Sequence, residues 1–329
     1  DKGKAIVEGR LGERLDILVF EYLKENWYKD ISRSMIQNIW EEIVLLNGNL
    51  EKCSYKLKEQ DVLEVDIQRL NEIMGEMDRS RDILAEDGDL QVVFESKDVV
   101  IVDKPQGMVV HPGFANSRNT LANRVRGYLE KKGEFDDRVA RAGIVHRLDK
   151  PVGGLIVFAK NLPMQVSLQK QFENHLVKKV YLADIEEYDS DVDNTLSFPE
   201  EALDVEKEVK DLEKNQFLFD ESWVVLEGYI SRDSRNRLKM LFRKEKLGNA
   251  RYSLSYIKPV GRNKVLVCIE TGRMHQIRAT LEYLGLRIKG DSLYGLPRGN
   301  SLPLKISLRS IYLQFLDLDE ERVSVFKLK

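Results

Sequence analysis

Arg141-Ala-Gly-Ile-Val-His-Arg-Leu-Asp-Lys-Pro-Val-Gly-Gly-Leu-Ile-Val-Phe-Ala-Lys160 sets a charged loop, ending in Asp149 and Lys150, between two apolar runs. Ile144 and Val145 lead in. Leu155 to Ala159 lead out as a β-branched and aromatic run of strand length. Gly153 and Gly154 admit backbone conformations, and a close approach of another chain, that a side chain would block. Arg147 and Lys150 flank Asp149, and a nearby cation favours the charged form of a carboxylate. Such a group can act as a nucleophile. The same pattern also fits a structural aspartate–arginine pair at a strand-to-loop junction, the commoner use of those residues.

Around this stretch lies a chain of 329 residues, 42% hydrophobic and 33% charged, enough for two folded domains. No apolar run approaches the ~20 residues of a bilayer-spanning helix, and the first residues lack the apolar core of a signal peptide. Cys53 and Cys268 have neither disulfide nor zinc spacing, so a reducing cytoplasm is expected. No glycine loop for a nucleotide and no zinc spacing can be read. Nothing specifies an assembly, and a monomer is expected. The net charge of −3 hides an uneven distribution. Residues 1–89 hold 13 Lys/Arg against 21 Asp/Glu, and residues 186–220 hold 3 against 13. The remainder holds 36 against 21, an excess suited to a phosphate backbone.

Taken in order, Leu15, Leu18, Val19, Tyr22 and Leu23 form a helical stripe. A second helix is predicted from Ser32-Arg33-Ser34, whose hydroxyls would cap it, through Ile36, Ile39, Trp40 and Ile43. Ile43 to Leu46 then reads as a strand into an Asn47-Gly48 turn, and Leu63, Val65 and Ile67 alternate as a second strand. The acidic stretch 71–89 has weak periodicity and reads as a linker. Leu90–Phe94 and Val99–Val102 predict a hairpin, Thr120–Leu129 a helix, Asn161 onward a short helix with Leu168 and Phe172, and Val177–Ile185 a strand carrying Tyr181. The acidic run 186–220 reads as an insertion, with a short helix or a solvated loop as alternatives. Further strands are predicted near residues 238–242, 252–257 and 265–269.

His146-Arg-Leu-Asp-Lys150 followed by Gly154-Leu-Ile-Val-Phe-Ala-Lys160 resembles the signature of the RluA-type pseudouridine synthases, whose aspartate lies in a His-Arg-Leu-Asp box. Three more stretches resemble the same family: Val100 to Gly113, Lys179-Val-Tyr-Leu-Ala183, and Thr271-Gly-Arg-Met-His-Gln-Ile-Arg278 running on to Gly290-Asp-Ser-Leu-Tyr-Gly295. Val152-Gly153 departs from the family's usual Thr-Ser. Residues 12–70, with Ser-Arg-Ser at the second helix, resemble an S4 RNA-binding domain. The set as a whole is similar to the large-subunit ribosomal RNA pseudouridine synthase D group.

The resemblance implies an α+β architecture: an S4-like domain over 12–70, a linker over 71–89, and a catalytic domain over 90–329 on a mixed, largely antiparallel sheet. It implies isomerisation of uridine in RNA, with large-subunit ribosomal RNA as the expected substrate, after the base is flipped from its stack; such a reaction has no redox step, so neither a cofactor nor a metal is expected. Asp149, Tyr181 and Arg278 would be the catalytic residues, with Arg278 paired to Asp149. Arg147 would fill the vacated stack, Leu155 and Ile277 would wall the pocket, and Arg14, Arg33, Arg273 and His275 would contact RNA. A transfer RNA synthase of the same family and a non-catalytic RNA-binding assembly factor are the alternatives. An aspartate-nucleophile phosphatase fits less well, because Leu148-Asp-Lys-Pro151 lacks the nearby second aspartate that would hold magnesium.

Overall fold

The computed structural model describes residues 4–5, 11–26, 28, 31, 33–81, 83–113, 118–187, 196–294 and 305–328. They fall into two compact units, Asp1–Asp82 and Ile83–Lys329. In the first, β1 (Lys4–Ala5), α1 (Leu15–Asn26), α2 (Arg33–Asn38), α3 (Trp40–Ile43), β2 (Val44–Leu46), β3 (Leu63–Val65) and α4 (Ile67–Arg81) follow one another. The three strands form one sheet, with β3 between β1 and β2 and both pairings antiparallel. The expected stripe of α1 faces the core, where Leu15, Val19 and Leu23 are fully buried. Asn47 and Gly48 both take positive φ, as the turn after β2 requires.

Three expectations change here. The second helix is broken at Ile39 into α2 and α3, which places both Ile36 and Trp40 in the core. The hydroxyls of Ser32 and Ser34 lie outside what is described. Ile67 opens a helix instead of ending a strand, because the Asp66 carboxylate accepts the Arg69 N–H at 2.9 Å and so caps α4. Much of the stretch read as a linker is therefore helical, up to Arg81, and Leu70 and Ile73 pack into the core of this unit.

The second unit is built on an eleven-stranded sheet. Its elements are β4 (Val92–Glu95), β5 (Val99–Lys104), α5 (Leu121–Lys131), a 3₁₀ turn at Ala140–Gly143, β6 (Gly153–Ala159), α6 (Leu162–Glu173), β7 (Lys178–Glu187), α7 (Val205–Lys214), β8 (Val224–Arg232), β9 (Met240–Arg243), β10 (Arg251–Gly261), β11 (Lys264–Ile269), α8 (Gln276–Tyr283), β12 (Leu286–Ile288), β13 (Leu308–Leu316) and β14 (Arg322–Phe326). The strand order is β4-β5-β6-β13-β7-β11-β10-β8-β9, with β12 beside β7 and β14 beside β13. Among the described residues only the β6–β13 pairing is parallel, so the sheet is mixed and largely antiparallel as expected. The expected β4–β5 hairpin forms, and α5 and α6 begin where Thr120 and Asn161 cap them.

Gly154 shows why a glycine was needed after the charged loop. Its φ is +109°, and a Cβ there would lie 2.1 Å from the Ser310 carbonyl oxygen of β13. Within the acidic insertion, residues 188–195 lie outside the described residues, while α7 follows its Asp204 cap and buries Val209 and Leu212. Leu203 and Leu218, on either side of this helix, are exposed.

Candidate active site

Asp149 sits in the loop between the 3₁₀ turn and β6, and its surroundings hold that loop from three directions. Lys104 at the end of β5 is wholly buried and donates from Nζ to the carbonyls of Pro105 (3.0 Å), Met108 (2.8 Å) and Lys150 (3.2 Å). Burial pushes this amine down to about 8, against the opposing field of Asp149. His146 folds back onto the strand it precedes, its Nε2 accepting the Val157 N–H at 3.0 Å while its ring stacks on Phe172 at 4.6 Å. Burial, aided by Lys179, drives His146 down to about 3, so it is a neutral structural group. The Val152 N–H closes the loop on the Asp149 carbonyl at 3.0 Å, and the Val152 side chain is buried.

A cavity of about 530 Å³ opens in front of Asp149. Tyr181, Ile277, Leu308, Ile269 and Leu148 give it apolar walls; Arg147, Lys179, Arg273 and Arg278 give it positive charge. Arg278 projects from α8 and places Nη1 3.7 Å from the Asp149 carboxylate. It is held there by Asp291, to which Nε and Nη2 each donate at 2.7 Å. Asp291 also accepts the N–H groups of Leu293 (3.0 Å) and Tyr294 (3.1 Å), and the Arg278 guanidinium lies 4.7 Å from the Tyr294 ring centre. Burial works to raise the Asp291 carboxyl, but the hydrogen bonds and charge of Arg278 prevail and hold it below the usual range.

His275 places Nε2 3.8 Å from Asp149 and Nδ1 3.0 Å from the Tyr294 hydroxyl. Burial lowers its pKa, and the Tyr294 hydroxyl it meets is itself fixed by Met240, accepting the Met240 N–H at 2.7 Å and donating to the Met240 carbonyl at 3.1 Å. Gln276 fixes the preceding turn by accepting from Thr271 (2.8 Å) and the Arg273 N–H (3.0 Å) while donating to the Leu254 carbonyl (3.0 Å). Arg273 donates to the Tyr252 carbonyl at 2.8 Å. The Tyr181 ring lines the cavity, and burial first, then Asp149, raises its hydroxyl pKa.

The structure thus brings Asp149, Tyr181, Arg278, Arg147, Arg273, His275 and Ile277 together around one cavity. Leu155 is a correction. It is fully buried among Val99, Ile101 and Leu313, because alternation along β6 turns it away from the cavity; Leu308 and Ile269 wall it instead. The cations beside Asp149 are a second correction. Arg147 is exposed in the cavity and Lys150 is exposed, and among the described residues the ion-pair neighbours of Asp149 are Arg278 and His275. Asp291, Tyr294 and Lys104 carried no role in the sequence reading. Their motifs were visible, yet only the fold reveals which polar groups they meet.

Arg14 and Arg33 lie in the first unit. Both grip Asp16, which is fully buried: Arg14 at 3.1 and 3.2 Å, Arg33 at 3.0 and 2.7 Å, with Gln37 adding a third donor at 2.6 Å. Burial opposes ionisation of Asp16, but these donors hold it down at about 2. The two guanidinium groups remain partly exposed, at 42% and 40%. They are oriented groups, not loose surface charges.

Residues 98–283 match the family model described as RNA pseudouridylate synthase. An uncharacterized RNA pseudouridine synthase of Bacillus subtilis, YlyB, is 30% identical over 268 residues, which cover 81% of this chain and 75% of the relative. A ribosomal large subunit pseudouridine synthase D of Zymomonas mobilis is 28% identical over 301 residues, covering 88% of this chain and 79% of the relative. Among solved structures, the human RNA pseudouridylate synthase domain containing 1 superposes with a TM-score of 0.51 at 22% identity, over 74% of this chain and 86% of that one. This last likeness is one of fold.

Proposed function

The chain belongs to the RNA pseudouridylate synthase family, and from that premise we propose that it isomerises specific uridines of large-subunit ribosomal RNA, with Asp149 as the catalytic carboxylate. The observation that carries the reading is a carboxylate at the wall of a cavity roomy enough for a flipped nucleotide, faced by a guanidinium that a second carboxylate holds in place.

In the proposed reaction the bond from ribose C1′ to N1 breaks, the uracil turns, and a bond from C1′ to C5 forms. The isomerisation has no net oxidation. A stacked uridine must first leave its helix at a cost of about a few kcal/mol, and Arg147, exposed at the cavity and two residues from Asp149, is suited to fill the gap. The freed base would pack on Tyr181 and Ile277, with C1′ toward Asp149. Arg278 would orient the carboxylate, a task matched by its planar, pre-organised donors. Arg273 and His275 would serve the rim. The first unit would act as an S4-like RNA-binding module, with Arg14 and Arg33 gripping phosphate or sugar so as to set register. Action on ribosomal RNA accords with the names of the relatives, and the proposed setting is the cytoplasm.

The test uses transcribed large-subunit ribosomal RNA carrying 5-tritiated uridine. Pseudouridine formation releases the C5 hydrogen, so tritium should appear in water in whole-number equivalents per transcript. Release from transfer RNA but not from this transcript would move the substrate to the alternative class.

A further inference from the structure

We propose that the Lys179 ammonium reads the uracil carbonyl farthest from the glycosidic bond, and so selects uracil over cytosine. This rests on the reading that Asp149 works on a flipped uridine. Lys179 and Tyr181 alternate along β7, so both face the cavity, while Val180 between them packs in the core with Val209 and Leu212. Lys179 is 6% exposed. Among the described residues its amine finds no carbonyl or carboxylate acceptor; its one partner is the Phe172 ring, 5.6 Å from Nζ to the ring centre. Neighbouring lysines are satisfied. Lys104 has its three carbonyls, and Lys178 takes Glu270 at 3.0 Å. A buried donor left open at a cavity wall calls for an acceptor from the ligand.

Position decides which acceptor. Among the described residues Asp149 has its ion-pair neighbours in Arg278 and His275, whereas the Lys179 amine lies over the Phe172 ring, on the strand that carries Tyr181 into the cavity. In the proposed pose the amine sits at the end of the base remote from Asp149, two residues or roughly 7 Å along the strand from Tyr181. With C1′ at Asp149 and the base on Tyr181, the atom opposite N1 is C4, which carries O4 in uracil and an amino group in cytosine. An ammonium has three donors and no acceptor, so it bonds O4 and repels the cytosine amine. Burial holds Lys179 down to about 8, which leaves it protonated at neutral pH.

The contact survives the reaction. When the C1′–N1 pair leaves on the base, its charge spreads over O2 and O4, and turning the ring about its N3–C6 axis exchanges them. The carbon at C5 bonds C1′ and loses its proton, N1 gains one, and O2 now meets Lys179.

Lys179→Met keeps the stem against Phe172 and removes the donor. Wild-type tritium release from the ribosomal transcript is established first, and its absence would fail the functional reading and not this one. Short RNAs bearing the modified site are then compared with uridine, 4-thiouridine or cytidine at the target. A charged hydrogen bond is worth ~10–150-fold. The wild type should bind the cytidine RNA at least ~30-fold more weakly than the uridine RNA and turn over the 4-thiouridine RNA at least ~10-fold more slowly, sulfur being a poor acceptor. In the variant both gaps should shrink below ~5-fold, with kcat reduced and Tm equal or higher, since a buried unpaired charge is gone. Unchanged gaps in the variant would overturn the proposal, as would a wild type indifferent to 4-thiouridine, a result that needs no variant to fold. A salt slope lowered by ~0.7 with the gaps intact would also overturn it, by identifying a phosphate contact.

Discussion

Asp291→Asn tests whether Arg278 is placed by its second carboxylate. The wild-type side chain accepts four hydrogen bonds: two from Arg278 at 2.7 Å and two backbone N–H groups at 3.0 and 3.1 Å. Asparagine has one oxygen for the Leu293 and Tyr294 N–H groups and Arg278 Nη2, so its amide nitrogen would face the Nε–H donor. Arg278 is 6% exposed and cannot recover that bond from water. Breaking a buried pair outright costs about 3–5 kcal/mol, and retaining part of it suggests about 2–3 kcal/mol here. For a unit of this size that is a Tm fall of roughly 5–10 °C. Freed from its fork, the guanidinium should close on Asp149, and a shift of ~1 Å at the reacting group is enough for a loss of ~100-fold in kcat. RNA affinity should stay within about threefold, because Arg278 lies too deep for a phosphate. Thermal unfolding, filter binding and single-turnover tritium release on one preparation give all three numbers. A lowered Tm with unchanged kcat would refute the reasoning, since Arg278 would then be structural only.

Three further outcomes are expected. Lys104→Met leaves the carbonyls of Pro105, Met108 and Lys150 without their buried donor, so denaturant unfolding should show a loss of roughly 2–4 kcal/mol, even though a desolvated charge is removed. His146 is neutral in the fold and its pKa lies below the ordinary 6.5, so only the unfolded chain takes up its proton as pH falls from about 6.5 toward 3. Stability should therefore be fully present above about 6.5 and decline below it, by at most about 5 kcal/mol, and His146→Gln should flatten that limb in urea midpoints measured between about pH 4 and 7. Gly154→Ala forces a methyl group to within 2.1 Å of the Ser310 carbonyl at a φ of +109°, so the β6–β13 pairing should separate and soluble yield or Tm should drop sharply; an unperturbed Tm would contradict the close approach.

Much of this is legible in the sequence. The charged loop, the strand after it and the hairpin at β4–β5 are local patterns, and three of the family-like stretches line one cavity while Val100 to Gly113 supports the Asp149 loop through Lys104. What stayed hidden was long-range. β13 lies at the centre of the sheet between β6 and β7, yet Leu308 to Leu316 is the last strand but one in the chain and local pattern assigns it no element, despite an inward alternation at Leu308, Ser310 and Tyr312. Leu155 was misplaced for the same reason: the face of a strand buried on both sides cannot be told from its sequence. Helix α4 was missed because its acidic exposed residues outweighed the Asp66 cap and the apolar pair Leu70 and Ile73. The role of Asp291 depends on a contact thirteen residues away that no spacing rule predicts.

The central claim is that Asp149 is the group on which the chemistry turns. Asp149→Asn keeps the volume of the side chain and removes its charge. Single-turnover tritium release from the ribosomal transcript, with RNA binding measured alongside, is the most direct test. Release should be at least ~10⁴-fold slower than wild type, as for loss of a nucleophile or its equivalent, with affinity within about threefold. Pseudouridine formation at a wild-type rate would contradict it.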